Sequence, residues 1–329
     1  MLTMALLGAG RIGRIHGQNV AANPRAKLAA LADADAKVAQ SLADLTGAKV
    51  ATIDAIMADK AIGAVLICTP SGTHADLIER AVHSGKAVFC EKPVSLDAGR
   101  IVKCLKVVGD AKGKLMIGFN RRFDPSFADV RRRIDAGEAG KVELVSIMSR
   151  DPSPPPISYV EGSGGLFRDM MIHDLDMARF LLGEEPVEVH AVGSCLVDPA
   201  IGKAGDVDTA AVLLKTAGGR IASISNSRRA TYGYDQRIEV HGSLGLLAAG
   251  NRHTTSVVRA NGAGYATDPA LPFFLERYAD AYRNELNAFI AAVLDGKPIS
   301  PSGDDGLKAQ RLADAATESA KSGMPVKVG

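Results

Sequence analysis

Leu6-Leu7-Gly8-Ala9-Gly10-Arg11-Ile12-Gly13 is the stretch on which the reading of this chain turns. It sets G-x-G-x-x-G directly after an apolar run and directly before a helical pattern, the context a dinucleotide-binding turn requires. Gly8 permits the tight turn off the strand, Gly10 lets backbone approach a pyrophosphate, and Gly13 lets the helix pack close to the sheet. The helix then opens at Arg11 and Ile12, where unpaired N–H groups and a partial positive charge face the phosphates. Alone, the motif is weak, because glycine-rich turns are common. A second apolar segment, residues 27–32, ends in Asp33, 20 residues after Gly13. An acid at that spacing bonds the adenosine ribose hydroxyls and repels a 2′-phosphate. Ala34-Asp35-Ala36 follows with no arginine to clamp such a phosphate. The expected cofactor is NAD, with Lys37 the one residue that softens the preference over NADP.

Around this turn, the first third of the chain alternates strand and helix patterns. Strands are expected at 2–7, 27–32, 63–69, 87–90 and 115–119. The helices between them include 11–22, 36–46 with Gly47 as its stop, and one capped by Ser95. Units of this length give right-handed crossovers and a parallel sheet. Ligands on such sheets sit at the carboxyl ends of the strands. Two further strand ends therefore matter: Thr69-Pro70-Ser71-Gly72-Thr73-His74 and Glu91-Lys92-Pro93. Both could be ordinary loop chemistry, since Pro and Gly make turns and lysine is usually a solvated surface charge.

After Asn120 the texture changes. An arginine-rich helix is expected at 123–136, followed by alternating runs at 142–148, 187–197, 209–215, 220–226 and 236–241. That pattern argues a mostly antiparallel sheet. Residues 1–120 and 121–329 are read as two domains, with an amphipathic tail helix at 303–322 able to pack back on the first. The expected fold class is α/β: a doubly wound parallel sheet of Rossmann type plus an α/β domain with a large, open, mostly antiparallel sheet.

The chain has 329 residues, 47% of them apolar and 23% charged, with a net charge of +2. No basic run of the density nucleic acid requires is present, so no nucleic-acid partner is expected. The longest apolar runs are strand-sized, too short to span a membrane, and no signal peptide is read at the N-terminus. Cys68, Cys90, Cys104 and Cys195 lack C-x-x-C spacing, which suggests a reducing cytoplasm and no zinc site.

One more constellation lies at 167–182, read as a single helix stopped by Gly183. Asp169 and His173 are four apart and share a face, and Asp176 continues the stripe. An aspartate beside a histidine favours the imidazolium and can fix its tautomer, which suits a general base that takes a hydroxyl proton. The same stripe could be a solvated polar face. It could also be a metal site, although three ligands on one helix make a poor coordination shell.

Taken together, the N-terminal glycines, Glu91-Lys92-Pro93, Asp169-x-x-x-His173 and Gly303-Asp304-Asp305-Gly306-Leu307-Lys308-Ala309 resemble the Gfo/Idh/MocA oxidoreductases over essentially the whole chain. Ser149-Arg150-Asp151-Pro152-Ser153-Pro154-Pro155, Tyr232-Gly233-Tyr234-Asp235-Gln236-Arg237 and the 274–282 region resemble the inositol dehydrogenase branch. The resemblance implies Lys92, Asp169 and His173 as the catalytic set, with no metal. It implies cofactor contacts from Gly8, Gly10, Arg11, Ile12, Gly13, Asp33, Thr69, Pro70, His74, Glu91 and Lys92. Substrate contacts would come from Lys92, Asp151, Asp169, His173, Tyr282 and one of Tyr232 and Tyr234, with Tyr234 favoured. The implied activity is NAD-dependent oxidation of a secondary alcohol of a cyclic polyol, myo-inositol to 2-keto-myo-inositol. Another polyol or sugar such as scyllo-inositol or glucose, a non-catalytic NAD sensor, and redox-neutral cleavage of a glycoside stand as alternatives. The open sheet of the second domain is expected to mediate a homodimer or homotetramer.

Overall fold

A computed structural model describes all residues, Met1 to Gly329. The chain forms two compact units: Met1–Asn120 with Ala281–Gln310, and Arg121–Asp280 with Arg311–Gly329. The break falls at the change of texture after Asn120, but the first unit recruits a late segment that sequence order had assigned to the second.

The first unit is built from β1 (Leu2–Leu7), α1 (Arg11–Ala21), β2 (Ala26–Ala32), α2 (Ala36–Thr46), β3 (Lys49–Val50), α3 (Ile53–Ala58), β4 (Ala64–Ile67), α4 (His74–His83), β5 (Ala87–Cys90), α5 (Ala98–Asp110) and β6 (Leu115–Ile117). Its six strands run parallel in the order β3-β2-β1-β4-β5-β6. Every residue of β4 and β5 is buried, as a sheet covered on both faces demands. The order reverses between β1 and β4, so a ligand crevice is expected at the carboxyl ends of these two strands. Local chemistry sets the helix ends. Asp35 caps α2 by accepting from Lys37 and Val38 N–H, and Gly47 closes it at φ 73°. Asp97, not Ser95, caps α5, accepting from Gly99 N–H at 2.8 Å; Ser95 instead receives the N–H of Asp97 at 3.2 Å.

The second unit follows with α6 (Pro125–Asp135), β7 (Val142–Arg150), α7 (Ile157–Ser163), α8 (Leu166–Asp169), α9 (Ile172–Leu182), β8 (Pro186–Ser194), α10 (Pro199–Lys203), β9 (Thr209–Thr216), β10 (Ile221–Ser227), β11 (Asp235–Gly242), β12 (Gly245–Ala249), the hairpin β13 (Val258–Asn261) and β14 (Gly264–Thr267), and α11 (Phe274–Arg277). The chain then runs through α12 (Ala279–Leu294), α13 (Gly303–Ser322) and β15 (Val326–Lys327). The large sheet has the order β12-β11-β7-β10-β9-β8-β15, antiparallel throughout except for the parallel pair β7 and β10. Burial alternates strictly along β9 after its first residue, so one sheet face is covered and the other is open. α9 lies against β7 and β10. No helix is long and apolar enough to cross a membrane.

Two expectations change here. The helix read at 123–136 starts at Pro125, because Asp124 accepts from Ser126 and Phe127 N–H and proline suits the first helical position. The helix read at 167–182 is two helices. Met171 N–H closes the first turn on Leu166 O, five residues back, and α9 restarts at Ile172. Asp169 therefore ends one helix while His173 lies in the first turn of the next.

Candidate active site

The glycine turn has the geometry its sequence demands. Gly8 sits at φ 91°, and a Cβ there would lie 2.5 Å from Cys68 O. A Cβ on Gly13 would lie 1.9 Å from Gly8 O, so only glycine lets α1 approach the turn. Around Gly10 nothing stands within 4 Å of an added Cβ, which leaves the first N–H groups of α1 open to a phosphate. Arg11, the first residue of α1, is exposed beside them. Asp33 ends β2 and reaches back to the turn: its Oδ2 accepts from Ala9 N–H at 2.6 Å and its Oδ1 from Asp35 N–H at 2.8 Å. Each carboxylate oxygen keeps a further lone pair, enough to receive ribose hydroxyls. These residues fit NAD, which would lie with its pyrophosphate at Gly10 and its adenosine ribose at Asp33.

The next two strand ends are tied together. His74 Nδ1 lies 2.8 Å from Pro93 O and its Nε2 lies 2.7 Å from Thr69 O. Both ring nitrogens are thus spent on carbonyls, and the ring, 1% exposed, clips the loop after β4 to the loop after β5. It thereby fixes the loop carrying Thr69 and Pro70 against the loop carrying Lys92 and Pro93. Thr69 and Thr73 share a hydroxyl hydrogen bond at 2.7 Å within the same loop. Glu91 turns its carboxylate to His16 Nε2 on α1, at 2.8 Å, while Lys92 beside it is partly exposed. Tyr282 packs edge-on against the His16 ring at 5.6 Å and is 6% exposed.

Glu285 completes this cluster, with its Oε1 3.9 Å from His16 Nε2 and its side chain fully buried. Burial, reinforced by the charge of Glu91, holds its carboxyl well above the usual range. The folded chain then keeps a proton that the unfolded chain releases above about pH 4.5. Stability must fall as pH rises from that value through the folded-state value. Glu285→Gln is expected to raise the melting temperature at pH 8 more than at pH 5; equal shifts at both would show that Glu285 is ionised in the fold.

In the second unit, Asp151 follows β7, and its N–H donates to Ser227 O at 3.0 Å. Burial pushes its carboxyl up to about 6, with Asp169 and Asp174 adding to the push and Arg228 and Arg121 opposing it. Asp169 Oδ1 accepts from the Tyr159 hydroxyl at 2.8 Å, and its Oδ2 lies 3.5 Å from Arg228 Nη2. His173 is partly exposed in the first turn of α9. Asp176 does not extend this pair: its carboxylate takes the Arg122 guanidinium in a fork and also meets Arg179. With Asp174 and Asp176 buried, the stripe is not a solvated face.

The two candidate tyrosines part company. Tyr232 is half exposed, donates to Asp235 at 2.7 Å and accepts from Arg150 at 2.8 Å. Tyr234 is buried, packs edge-on against Tyr278 and Phe273, and is subject to the charges of Arg121, Asp151 and Asp174.

Behind these residues lies a buried polar network that the sequence reading missed. Arg121 pairs with Asp174 and reaches Ser149 Oγ at 3.3 Å; Asn226 donates to Asp174 at 3.0 Å; Gln236 donates to Ser149 Oγ at 2.8 Å and accepts from Tyr278. The hint in the sequence is a pair of aspartates, Asp174 and Asp176, on a helix whose other residues are apolar apart from His173 and Arg179.

Comparison with known proteins agrees with this fold. Residues 2–119 match the model of an oxidoreductase family with an NAD-binding Rossmann fold, and residues 127–248 match the GFO/IDH/MocA C-terminal domain. The chain is 60% identical over 314 residues to inositol 2-dehydrogenase of Rhizobium meliloti, covering 95% of each. Its fold is similar to that of a myo-inositol dehydrogenase from Corynebacterium glutamicum, at a TM-score of 0.96 and 45% identity over 100% of this chain and 99% of that one. It is also similar to a scyllo-inositol dehydrogenase from Lactobacillus casei solved with NAD(H) and scyllo-inositol, at a TM-score of 0.93 and 32% identity over 100% of this chain and 99% of that one. With both halves of its architecture matched, this chain belongs to the Gfo/Idh/MocA oxidoreductases, an NAD-binding family.

Proposed function

We propose that this chain oxidises one secondary hydroxyl of myo-inositol to the ketone, 2-keto-myo-inositol, with NAD as the oxidant. The carrying observation is its 60% identity, across 95% of both lengths, to a relative named inositol 2-dehydrogenase. NAD, when bound, supplies the acceptor for the hydride leaving the carbinol carbon. The residues of the chain manage the proton and the charge. His173 takes the hydroxyl proton, and Asp169 orients the imidazole and stabilises the imidazolium that forms. Lys92, as an ammonium, stabilises the developing alkoxide. The deciding experiment follows NADH absorbance with NAD and a panel of myo-inositol, scyllo-inositol, D-chiro-inositol, glucose and xylose. The highest kcat/KM is expected for myo-inositol. Turnover of an aldose alone would move the assignment to a sugar dehydrogenase, and NADH binding without turnover would make the chain a sensor. A scyllo-inositol preference is the second reading, favoured by the likeness to the Lactobacillus casei enzyme.

Asp151 and Tyr234 are assigned to the polyol hydroxyls. An ionised Asp151 accepts a charge-assisted bond from a hydroxyl, and a protonated one only a weaker, neutral bond. KM for the polyol is therefore expected to rise as pH falls through about 6, where Asp151 takes its proton. Asp151→Asn should show a raised KM without that rise; a pH dependence surviving in the variant would point to another group.

The open face of the large sheet, where Val192, Leu213 and Leu246 are each more than half exposed, is assigned to self-association with further copies of the chain. Sedimentation velocity should show a dimer or tetramer that Leu213→Glu weakens. Four free cysteines support a reducing, cytoplasmic compartment.

A further inference from the structure

Asp169 is held from two sides by residues that the reaction scheme leaves unused. Tyr159, on α7, donates its hydroxyl to Oδ1 at 2.8 Å. Arg228, just past the end of β10, brings Nη2 to 3.5 Å from Oδ2. Arg228 is 2% exposed, so this is a buried cation and not a surface lysine-like charge. Its backbone is fixed where its N–H donates to Asp208 O at 2.8 Å.

The same guanidinium lies 4.0 Å from Asp206 Oδ2. Asp206 in turn accepts the N–H of Leu166, at 3.0 and 3.1 Å to its two oxygens. Leu166 is the first residue of α8 and Asp169 is the last. The short helix is thus pinned at its start by Asp206 and at its end by Tyr159 and Arg228, with Arg228 bridging the two aspartates. Gly165 makes room for this: it sits at φ 87°, and a Cβ there would lie 2.7 Å from Asp206 Oδ1. A four-residue helix has little stability of its own, so these side-chain bonds are what fix the direction of its last residue.

We propose that Tyr159 and Arg228 are positioning residues for the oxidation: they hold the Asp169 carboxylate in one orientation and keep it ionised while His173 gains and loses a proton. The inference rests on the reading of Asp169 and His173 as the proton-handling pair. The groups that matter to Asp169 are Tyr159 from α7 and Arg228 after β10, which touch it; Asp151 after β7, whose charge acts on it; Asp206 before β9, which shares Arg228; and His173, four residues on in α9. Three are acids or become anionic, one is a histidine, and Arg228 is the permanent cation among them. Asp151 and Asp169 act on each other as like charges, and the Tyr159 hydrogen bond and the Arg228 charge favour the Asp169 carboxylate.

The test compares wild type with Tyr159→Phe and Arg228→Lys in the full-length chain. Lysine keeps the charge but replaces the planar guanidinium, whose Nη2 lies near both aspartates, with a compact ammonium, so it is a milder second variant where larger changes would compromise folding. The titration of Asp169, followed by carbon NMR on aspartate-labelled protein and assigned with Asp169→Asn, is expected to move to higher pH in both variants. In the Tyr159→Phe enzyme kcat should fall roughly ten- to a hundredfold, the range set by a hydrogen bond to a charged group, and the acid limb of kcat/KM should move up. NADH affinity and circular dichroism should not change. An unmoved Asp169 titration overturns the proposal, whatever the turnover. So does a Tyr159→Phe variant that alters only KM for the polyol, since Tyr159 would then be a substrate contact. His173→Ala, run alongside, separates the two ideas: an active His173→Ala enzyme sinks the base assignment, whereas an inactive one with an unaffected Tyr159→Phe enzyme sinks only the positioning role.

Discussion

His173→Ala is expected to lower kcat/KM for the polyol by about 10²–10⁴, the usual contribution of a positioned general base. The loss should fall on kcat, because the hydroxyl proton must leave as the hydride does, and an enzyme without the imidazole has to pass it to water. NADH affinity should be unchanged, since the glycine turn, Asp33 and the clipped loops of the first unit are untouched. The pH profile gives the sharper reading. A neutral imidazole is required, so wild type should lose activity as pH falls and His173 protonates, and that limb should vanish in the variant. Added imidazole should restore part of the rate. A loss of less than about tenfold would mean that another group takes the proton, and Lys92 would be the next to replace.

The second large effect concerns stability. Arg121 and Asp174 form an ion pair whose side chains are 6% and 0% exposed. Taking both charges from water is expensive, and the pair is tolerated because its remaining valences are met: Asn226 donates to Asp174, and Arg121 reaches Ser149. Burial pushes the Asp174 carboxyl up, against the pull of Arg121 and Asn226. Asp174→Ala would strand a buried guanidinium and is expected to destabilise the fold by about 3–5 kcal/mol. Asp174→Asn, which keeps an acceptor for Asn226, should cost less. Urea unfolding followed by tyrosine fluorescence would report it, because Tyr234 and Tyr278 both lie beside Arg121. A loss below about 1 kcal/mol would mean that water reaches the guanidinium once the carboxylate is gone.

What could be read in the sequence was local chemistry. The three glycines and Asp33 announced their turn because each acts over a few residues, and the structure shows the positive φ and close approaches they imply. Most strands of both sheets were legible because burial on one or two faces leaves a periodic or continuous apolar trace; the edge strands β3, β12 and β15, which are mostly exposed, leave none and were not. The four-residue spacing of Asp169 and His173 was legible, but the break between α8 and α9 that puts them on separate helices was not, because their hydrophobic pattern runs on without interruption. The network around Asp174 was illegible for another reason: its partners Arg121 and Asn226 are 53 and 52 residues away, and no short-range pattern links them. His74 and Glu91 were placed in the right loops, yet the direction in which their side chains point depends on partners on neighbouring strands and on α1.

The composition of the first unit also bears on how the chain is made. Its parallel sheet is not complete when Asn120 is synthesised: the backbone of β6 takes a bond to Pro301 O from Ile117 N–H, and Lys114 is bonded to the carbonyls that end α12. Those partners emerge from the ribosome only after the whole of Arg121–Asp280 has been translated. During synthesis neither unit can finish early: the nucleotide-binding half waits, partly assembled, for residues 281–310, and the second unit waits for Arg311–Gly329, which supplies β15. A gene fragment ending at residue 120 would be a poor way to obtain an isolated cofactor-binding module, and one that appends residues 281–310 through a linker would be the better one.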